Sequence, residues 1–135
     1  MIGSGILNVQ SMKNAFRNAE RNLMQSYRDF NFSGTTCVII FIIGKKIISA
    51  NAGDSRGILV FKNYVTSEYR VKALSQDHKP TLFNEKRRIE SHGGKVEKLY
   101  DNGEEIGPFR VWARGEGYPG LAMSRSIGDL VATKV

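Results

Sequence analysis

The sequence predicts an α+β fold in which antiparallel strands are flanked by helices. Its first patterned stretch, residues 11–27, has apolar side chains at helical spacing. Three short runs rich in β-branched residues follow, separated by turn-forming residues, which is typical of an antiparallel meander. The chain has 135 residues, of which 41% are apolar and 24% charged. We therefore expect one domain, or part of one, with a core of its own.

The helices are predicted from apolar periodicity and from the residues that start and end them. Residues 11–27 should form an amphipathic helix with Ser11 as its N-cap. Four of its side chains should face the core: Met12, Phe16, Ala19 and Leu23. A shorter helix is expected over residues 83–92, with Ile89 buried. Gly93 and Gly94 should end it, because glycine readily adopts the left-handed conformation that closes helices.

Apolar, β-branched runs predict the strands. Residues 35–43 form a continuous run, which suggests a strand buried on both faces. Cys37, which has no second cysteine to pair with, is expected to be a buried residue of this strand. Hairpin turns are expected at residues 44–46 and 101–103. The other expected strands cover residues 47–51, 58–62, 69–74, 95–99, 109–112 and 121–123.

The charge and hydropathy patterns argue against two classes of partner. The net charge is +7, but no basic stripe with interleaved aromatic residues is visible, so nucleic-acid binding is not expected. The densest basic cluster, Lys86-Arg87-Arg88, lies between Glu85 and Glu90 and is interpreted as a solvated helix face. No apolar run approaches the roughly 18 residues of a membrane-spanning helix. The N-terminus also lacks the pattern of a signal peptide, so a cytoplasmic or nuclear location without membrane association is expected.

A carboxylate in a tight turn is the main candidate for a functional site. Asp54 follows the second expected strand within the segment Gly53-Asp54-Ser55-Arg56. From the residues alone, its carboxylate could cap backbone N–H groups or bind a ligand. Arg56 could contact phosphate, but an ion pair near the same turn is favoured. His78 and His92 are expected to make structural hydrogen bonds, since no Cys or His lies at metal-ligand spacing.

Two later features are interpreted structurally. Ser124 and Arg125 lack the Gly-x-Ser-x-Gly context of a nucleophilic serine, so their segment is expected to brace the sheet. Asp129 is expected in a turn or at a helix N-cap. Trp112 is either a solvent-facing contact residue or part of a small core, and both interpretations stay open.

Five motifs follow one another in a fixed order along the chain. They are Ser33-Gly34-Thr35-Thr36, NAGDSR (51–56), LSQDHKP (74–80), EKRRIESHGG (85–94) and PGLAMSRSIGD (119–129). Together, over roughly residues 11–135, they resemble the metal-dependent serine/threonine protein phosphatases of the PP2C (PPM) family. One such motif would be a weak signal, but five in this order are specific. The segment before Asp129 looks most like protist and plant members.

The resemblance implies a fold and a chemistry. The fold is a four-layer α-β-β-α sandwich, in which two antiparallel sheets pack face to face between helices. Residues 1–135 would be the central part of this domain, and residues from about 81 to 118 its flap-like region beside the active cleft. The family hydrolyses phosphoserine and phosphothreonine, with phosphoproteins as substrates and Mg²⁺ or Mn²⁺ as cofactors. By resemblance, Asp54 matches the aspartate that helps to hold a third metal ion.

The chain departs from the family pattern at its main metal ligands. The family's Asp-Gly-His-Gly-Gly motif belongs upstream of residue 1, and later Asp-Gly and Asp-Asn motifs belong downstream of residue 135. We therefore expect little or no phosphatase activity from this chain alone, and metal binding by it is in doubt. A pseudophosphatase or a partner-binding regulatory module is the alternative. Uncovered strand edges and apolar faces would favour self-association, with strand exchange as one form.

Overall fold

The computed structural model describes residues 8–26 and 28–135, and these residues have an α+β fold, as predicted. The two α-helices in this part of the chain are α1 (Val9–Met24) and α2 (Phe83–Ser91). The strands are β1 (Gly34–Thr35), β2 (Cys37–Ile43), β3 (Lys46–Ala52), β4 (Ile58–Lys62), β5 (Tyr69–Ala73), β6 (Lys95–Asp101), β7 (Glu104–Trp112), β8 (Pro119–Leu121) and β9 (Ile127–Gly128). A short 3₁₀ helix covers Ala132–Lys134.

All strand pairs in the described residues are antiparallel, and they form four small sheets. Hairpins join β2 to β3 and β4 to β5, while β6, β7 and β8 form a three-stranded sheet. The fourth sheet pairs β1 with β9, which are far apart in the sequence. The predicted turn at residues 101–103 is confirmed: Asn102 and Gly103 both have positive φ, the conformation that joins two strands through a two-residue turn.

The start of α1 differs from the prediction by three residues. Asn8, not Ser11, is the N-cap, and its Oδ1 accepts a hydrogen bond of 2.9 Å from the Ser11 N–H. The Ser11 hydroxyl in turn accepts from the Asn8 N–H at 2.9 Å. This reciprocal capping box places Ser11 one turn inside the helix. The helix ends at Met24, Met12 is its buried residue, and the predicted end at residue 27 lies outside the described residues.

The predicted strand 35–43 is divided at Thr36. Gly34–Thr35 pairs with β9, whereas Cys37–Ile43 pairs with β3. Thr36 lies between the two pairings, where its hydroxyl forms a 2.7 Å hydrogen bond with the Ser55 hydroxyl. The contact with the turn after β3 therefore redirects the chain at Thr36.

Other strand ends also differ from the prediction. The largest difference is at β7, which begins at Glu104 rather than at residue 109, because it pairs with β6 as far as Asp101. β3 begins at Lys46, which pairs with Ile43, so the preceding turn is one residue shorter than predicted. β5 ends at Ala73, one residue before the predicted end, and the Leu74 N–H still donates to the Gly57 carbonyl. The strand expected at residues 121–123 covers Pro119–Leu121 instead.

A small core lies between α2 and the three-stranded sheet. Ile89 of α2 is completely buried, as predicted, against Val96 of β6 and Val111 of β7. Val135 closes the cluster from the end of the chain, and Ala113 packs at its margin. This core anchors α2 next to the segment 124–129.

The apolar run in β2 is not buried on both faces, contrary to the prediction. Ile42 is 75% exposed and Cys37 is half-buried, because β2 and β3 form a two-stranded sheet without a covering layer among the described residues. Apolar side chains of the β4–β5 hairpin are exposed as well, Val71 to 65%. Self-association through such faces stays a prediction. No helix within residues 8–26 or 28–135 is both long and apolar enough to cross a bilayer.

Candidate functional site

The turn after β3 places Asp54 at the end of the strand. Gly53 makes this turn with a φ of +106°, a conformation that residues with a side chain strongly disfavour. It also packs against the first motif, since a Cβ at Gly53 would lie 2.6 Å from Cβ of Thr36. Glycine is therefore required here for two independent reasons.

Replacing Gly53 by alanine should destabilise the chain by about 2 to 4 kcal/mol, because backbone strain and a steric clash act together. Gly103 offers a matched control: its φ is +86°, but a Cβ added there would meet no atom within 4 Å beyond its chain neighbours. Gly103→Ala should show only the backbone cost, about 1 kcal/mol. Urea unfolding of the two variants measures the difference, and equal losses would contradict the steric role of Thr36.

Residues 76–80 hold the Gly53–Asp54 turn from one side. The His78 N–H donates to the Gly53 carbonyl at 2.9 Å, and the Gly53 N–H donates to Nδ1 of His78 at 3.2 Å. Asn51 adds a bond of 2.9 Å from its side-chain amide to the Gln76 carbonyl. His78 thus has the structural hydrogen-bonding role that the sequence predicts.

The hydrogen bond to Nδ1 determines the protonation state of His78. A protonated Nδ1 could not accept the Gly53 N–H, so the ring is neutral, with its hydrogen on Nε2. Burial of the ring, and then the positive charge of Arg125, lower the pKa of His78. The neutral form that the turn needs is therefore also the form that the surroundings favour.

Two ion pairs join the same segments. The Lys79 ammonium pairs with the Asp54 carboxylate. Arg56 donates from Nε and Nη2 to the two oxygens of Asp77, at 2.9 and 2.8 Å. This hydrogen bonding holds the pKa of Asp77 below its usual value. The predicted ion pair of Arg56 is confirmed, and its partner is Asp77.

Sequence reasoning missed a buried cluster around Glu85. The charge pattern places Glu85 beside a solvated helix face, but its side chain is only 8% exposed, and its carboxylate accepts two hydrogen bonds from Arg125, at 2.6 and 3.0 Å. Arg88 approaches the same carboxylate at 3.3 Å. Spacing is the signal that could have found it: Glu85 lies four residues before the buried Ile89 and so faces the same side of α2.

Burial by itself raises the pKa of Glu85, but hydrogen bonds from Arg125 and the charges of Arg125 and Arg88 outweigh it and lower the pKa to about 2. Because the folded pKa lies below the ordinary value of 4.5, the ionised group stabilises the fold above about pH 4.5. This contribution, about 2 kcal/mol after screening by solvent, should be lost as the pH falls towards about 2.

The measurement compares urea unfolding of the wild type and of Glu85→Gln across this pH range. The wild type should be the more stable protein near pH 7, and the difference should shrink between about pH 4.5 and 2. A difference that stays constant down to about pH 2 would show that Glu85 does not titrate with the fold.

The segment 124–129 reaches both the turn and the helices. The Ser124 N–H donates to the His78 carbonyl at 2.9 Å, and the Gly128 N–H donates to the Glu20 carboxylate of α1 at 3.2 Å. Asp129 has a φ of +48° and lies in a turn, one of its two predicted positions, where its N–H donates to the Ser33 carbonyl at 2.8 Å. The expected bracing role of this segment thus has specific partners.

Trp112 and His92 are structural in the described fold. The Trp112 indole N–H donates to the Glu97 carbonyl at 3.0 Å. Its ring also packs on Gly120, where a Cβ would lie 2.9 Å from ring atom Cζ3. This favours the packed alternative for Trp112. His92 follows α2, with Nδ1 2.8 Å from the Arg88 carbonyl oxygen.

The described residues do not by themselves fit a metal centre. Mg²⁺ and Mn²⁺ prefer about six oxygen ligands, several of them carboxylates or water. Asp54 supplies one carboxylate, and Lys79 is already paired with it. Within residues 8–26 and 28–135, no three His, Cys, Asp or Glu side chains are grouped closely enough to hold a metal ion.

Comparisons with known proteins agree with the ordered motifs. The family model described as "Protein phosphatase 2C" matches residues 4–134. "Probable protein phosphatase 2C 12" of Oryza sativa subsp. japonica is 42% identical over 122 residues, which is 90% of this chain and 30% of that protein. "Probable protein phosphatase 2C 35" of Arabidopsis thaliana is 33% identical over 141 residues, 93% of this chain and 40% of that protein.

A third relative is similar to this chain to a comparable extent. "Protein phosphatase 2C homolog 2" of Hypocrea jecorina is 36% identical over 121 residues, which is 89% of this chain and 23% of that protein. The chain thus spans 40% or less of the length of each of these relatives. Since the family model covers nearly every residue and the motifs it shares pack together in the fold, this chain belongs to the protein phosphatase 2C family.

Proposed function

We propose that this chain is part of a phosphatase domain that hydrolyses phosphoserine and phosphothreonine in proteins. The observation that carries the proposal is the linkage of the five sequence motifs. Thr36 bonds to Ser55, and His78 to Gly53. The last motif forms hydrogen bonds with the first, third and fourth motifs. Their partners in it are Asp129 for Ser33, Ser124 for His78 and Arg125 for Glu85. Motifs spread over roughly a hundred residues thus form one connected polar cluster around the Gly53–Asp54 turn.

Within this proposal, residues 1–135 are a partial phosphatase domain and residues from about 81 to 118 its flap-like region. Asp54 is the side chain that this segment would offer to Mg²⁺ or Mn²⁺ in the complete domain. Its position at a strand end, 29% exposed and next to a turn held by two hydrogen bonds between Gly53 and His78, supports that role. The remaining ligands would have to come from outside the described residues, so the chain alone should not catalyse the reaction.

The activity of the chain alone is tested with a small aryl phosphate and Mn²⁺. We expect no Mn²⁺-dependent turnover above the protein-free background, because one carboxylate cannot hold the ion. Asp54→Ala provides the matched control and should give the same background rate. Mn²⁺-dependent turnover by the wild type that disappears in Asp54→Ala would contradict this expectation.

The phosphatase proposal itself is tested with a chimera. The segment of this chain that aligns with the rice relative over 122 residues replaces the corresponding segment of that protein, and the purified chimera is assayed on a phosphothreonine peptide with Mn²⁺. The chimera should release phosphate, and Asp54→Asn within it should lower kcat/KM by about tenfold or more. Asp101→Asn, at the exposed end of β6, is the control and should have no effect.

A chimera that folds but releases no phosphate would contradict the proposal. Binding of the phosphopeptide without hydrolysis would then favour the alternative, a pseudophosphatase or regulatory module. Circular dichroism of the chimera and of the unmodified relative separates loss of activity from loss of folding.

A further inference from the structure

A chain of polar contacts runs from the buried face of α2 to the Gly53–Asp54 turn. It begins at Glu85, whose carboxylate holds the guanidinium groups of Arg88 and Arg125. The two arginines reach it from different elements, since Arg88 belongs to α2 and Arg125 to the segment before β9. Glu85 therefore fixes the distance between the helix and that segment.

The second step is the backbone at Ser124. Arg88, oriented by Glu85, donates to the Ser124 carbonyl at 2.7 Å, while Arg125 is the next residue along the chain. The Ser124 peptide is thus tied to Glu85 twice. Arg88 bonds to its carbonyl, Arg125 follows it in the chain, and both arginines bond to the Glu85 carboxylate. Its N–H donates to the His78 carbonyl at 2.9 Å.

The third step passes through His78 to the turn. The His78 N–H and Nδ1 form a reciprocal pair of hydrogen bonds with the carbonyl and N–H of Gly53. Lys79 pairs with Asp54 next to it. These bonds join residues 78–79 to residues 53–54, so the path of contacts from Ser124 ends at the Asp54 carboxylate.

We propose that Glu85 is a positioning residue that sets the conformation of the Gly53–Asp54 turn through Ser124 and His78, without touching the turn itself. Its hydrogen bonds among the described residues go to Arg88 and Arg125. The inference goes beyond the proposed function, because it concerns the geometry of the turn and holds whether or not Asp54 binds a metal ion. It also gives α2, in the flap-like region, a physical connection to the turn.

Amide hydrogen exchange of the full chain, followed by NMR, tests the proposal. The amides of Gly53, His78 and Ser124 each donate one hydrogen bond in the chain of polar contacts that ends at the Gly53–Asp54 turn. Two further amides serve as internal references. Gly94 N–H donates to Ile89 and reports on the end of α2, whereas Asn63 N–H donates to Glu68 in a distant hairpin.

Two variants disturb the contact between Glu85 and Arg125. Glu85→Gln removes the negative charge, and Arg125→Lys removes the two-pronged hydrogen bonding. Glu90→Gln, on the exposed face of α2, is the matched control. In the first two variants, exchange at Gly53, His78 and Ser124 should accelerate about tenfold more than exchange at the two references, which report the loss of global stability. The Glu90→Gln spectrum should show no change in any of the five.

A spectroscopic signal gives a second readout. The ¹⁵N chemical shift of His78 Nδ1 reports the hydrogen bond from Gly53, and it should move towards the value of a solvated ring in Glu85→Gln. Equal acceleration at all five amides would show that Glu85 only stabilises the fold and would overturn the proposal. So would unchanged exchange and an unchanged His78 shift. If Glu85→Gln does not fold, Arg125→Lys, which keeps a positive charge beside Glu85, decides by the same criteria.

Discussion

Replacing Glu85 by alanine should lower the free energy of unfolding by about 3 kcal/mol. The Glu85 side chain is 8% exposed and its negative charge is shared by two guanidinium groups, so its loss leaves Arg88 and Arg125 facing each other without a counter-charge. Breaking a buried pair typically costs about 3 to 5 kcal/mol. The lower end applies because the side chains of Arg88 and Arg125 are 34% and 48% exposed and stay partly hydrated.

Urea unfolding followed by the fluorescence of Trp112, the single tryptophan, measures this loss. Glu90→Ala is the matched control: Glu90 lies on the same helix, is 51% exposed and pairs with Lys86 at 3.8 Å. Glu90→Ala should lower the free energy of unfolding by less than about 0.5 kcal/mol. Similar losses for Glu85→Ala and Glu90→Ala would show that the arginine cluster contributes no more than a surface ion pair.

Ile89→Ala should destabilise the chain by about 3 to 4 kcal/mol. Ile89 is fully buried, and its side chain fills the space between Val96, Val111 and Val135. Truncation removes the transfer free energy of three carbon atoms and leaves a cavity. The cavity cannot easily collapse, because Gly94 already brings its backbone close: a Cβ there would lie 2.7 Å from Cγ2 of Ile89.

Thermal unfolding by circular dichroism measures this effect, with Phe83→Ala as the control on the same helix. Phe83 is 77% exposed, so truncating it to alanine removes little buried apolar surface. The control should shift the midpoint by no more than about 2 °C, whereas Ile89→Ala should lower it by roughly 10 °C or more. A small shift for Ile89→Ala would mean that the α2 core is not essential to the stability of this chain.

Local patterns predicted most of the secondary structure. The hairpin at Asn102 and Gly103 followed from residues that tolerate positive φ, and burial of Ile89 followed from its place in a short amphipathic helix. The errors came where a distant residue competes with a local signal. Thr36 leaves the strand pattern because it bonds to Ser55, nineteen residues away, and such a contact leaves no trace in local periodicity.

The candidate site was predicted in part. The turn at Asp54, the ion pair of Arg56 and the structural role of His78 could all be anticipated, because turn residues and a Pro-terminated segment have local signatures. The partners could not: Asp77 and Lys79 come from twenty-one and twenty-five residues away. The role of Asp54 as a metal ligand remains a prediction.

By itself the sequence determined the α+β class, the turns and the family, since apolar periodicity, glycine positions and ordered motifs are properties of the chain alone. The tertiary structure decided which charges are buried. Glu85 has the sequence context of a charge in a solvated helix, and it is buried because Arg125, forty residues away, supplies its counter-charge. A carboxylate can leave water only when such a partner reaches it, and that is decided by packing rather than by the local sequence.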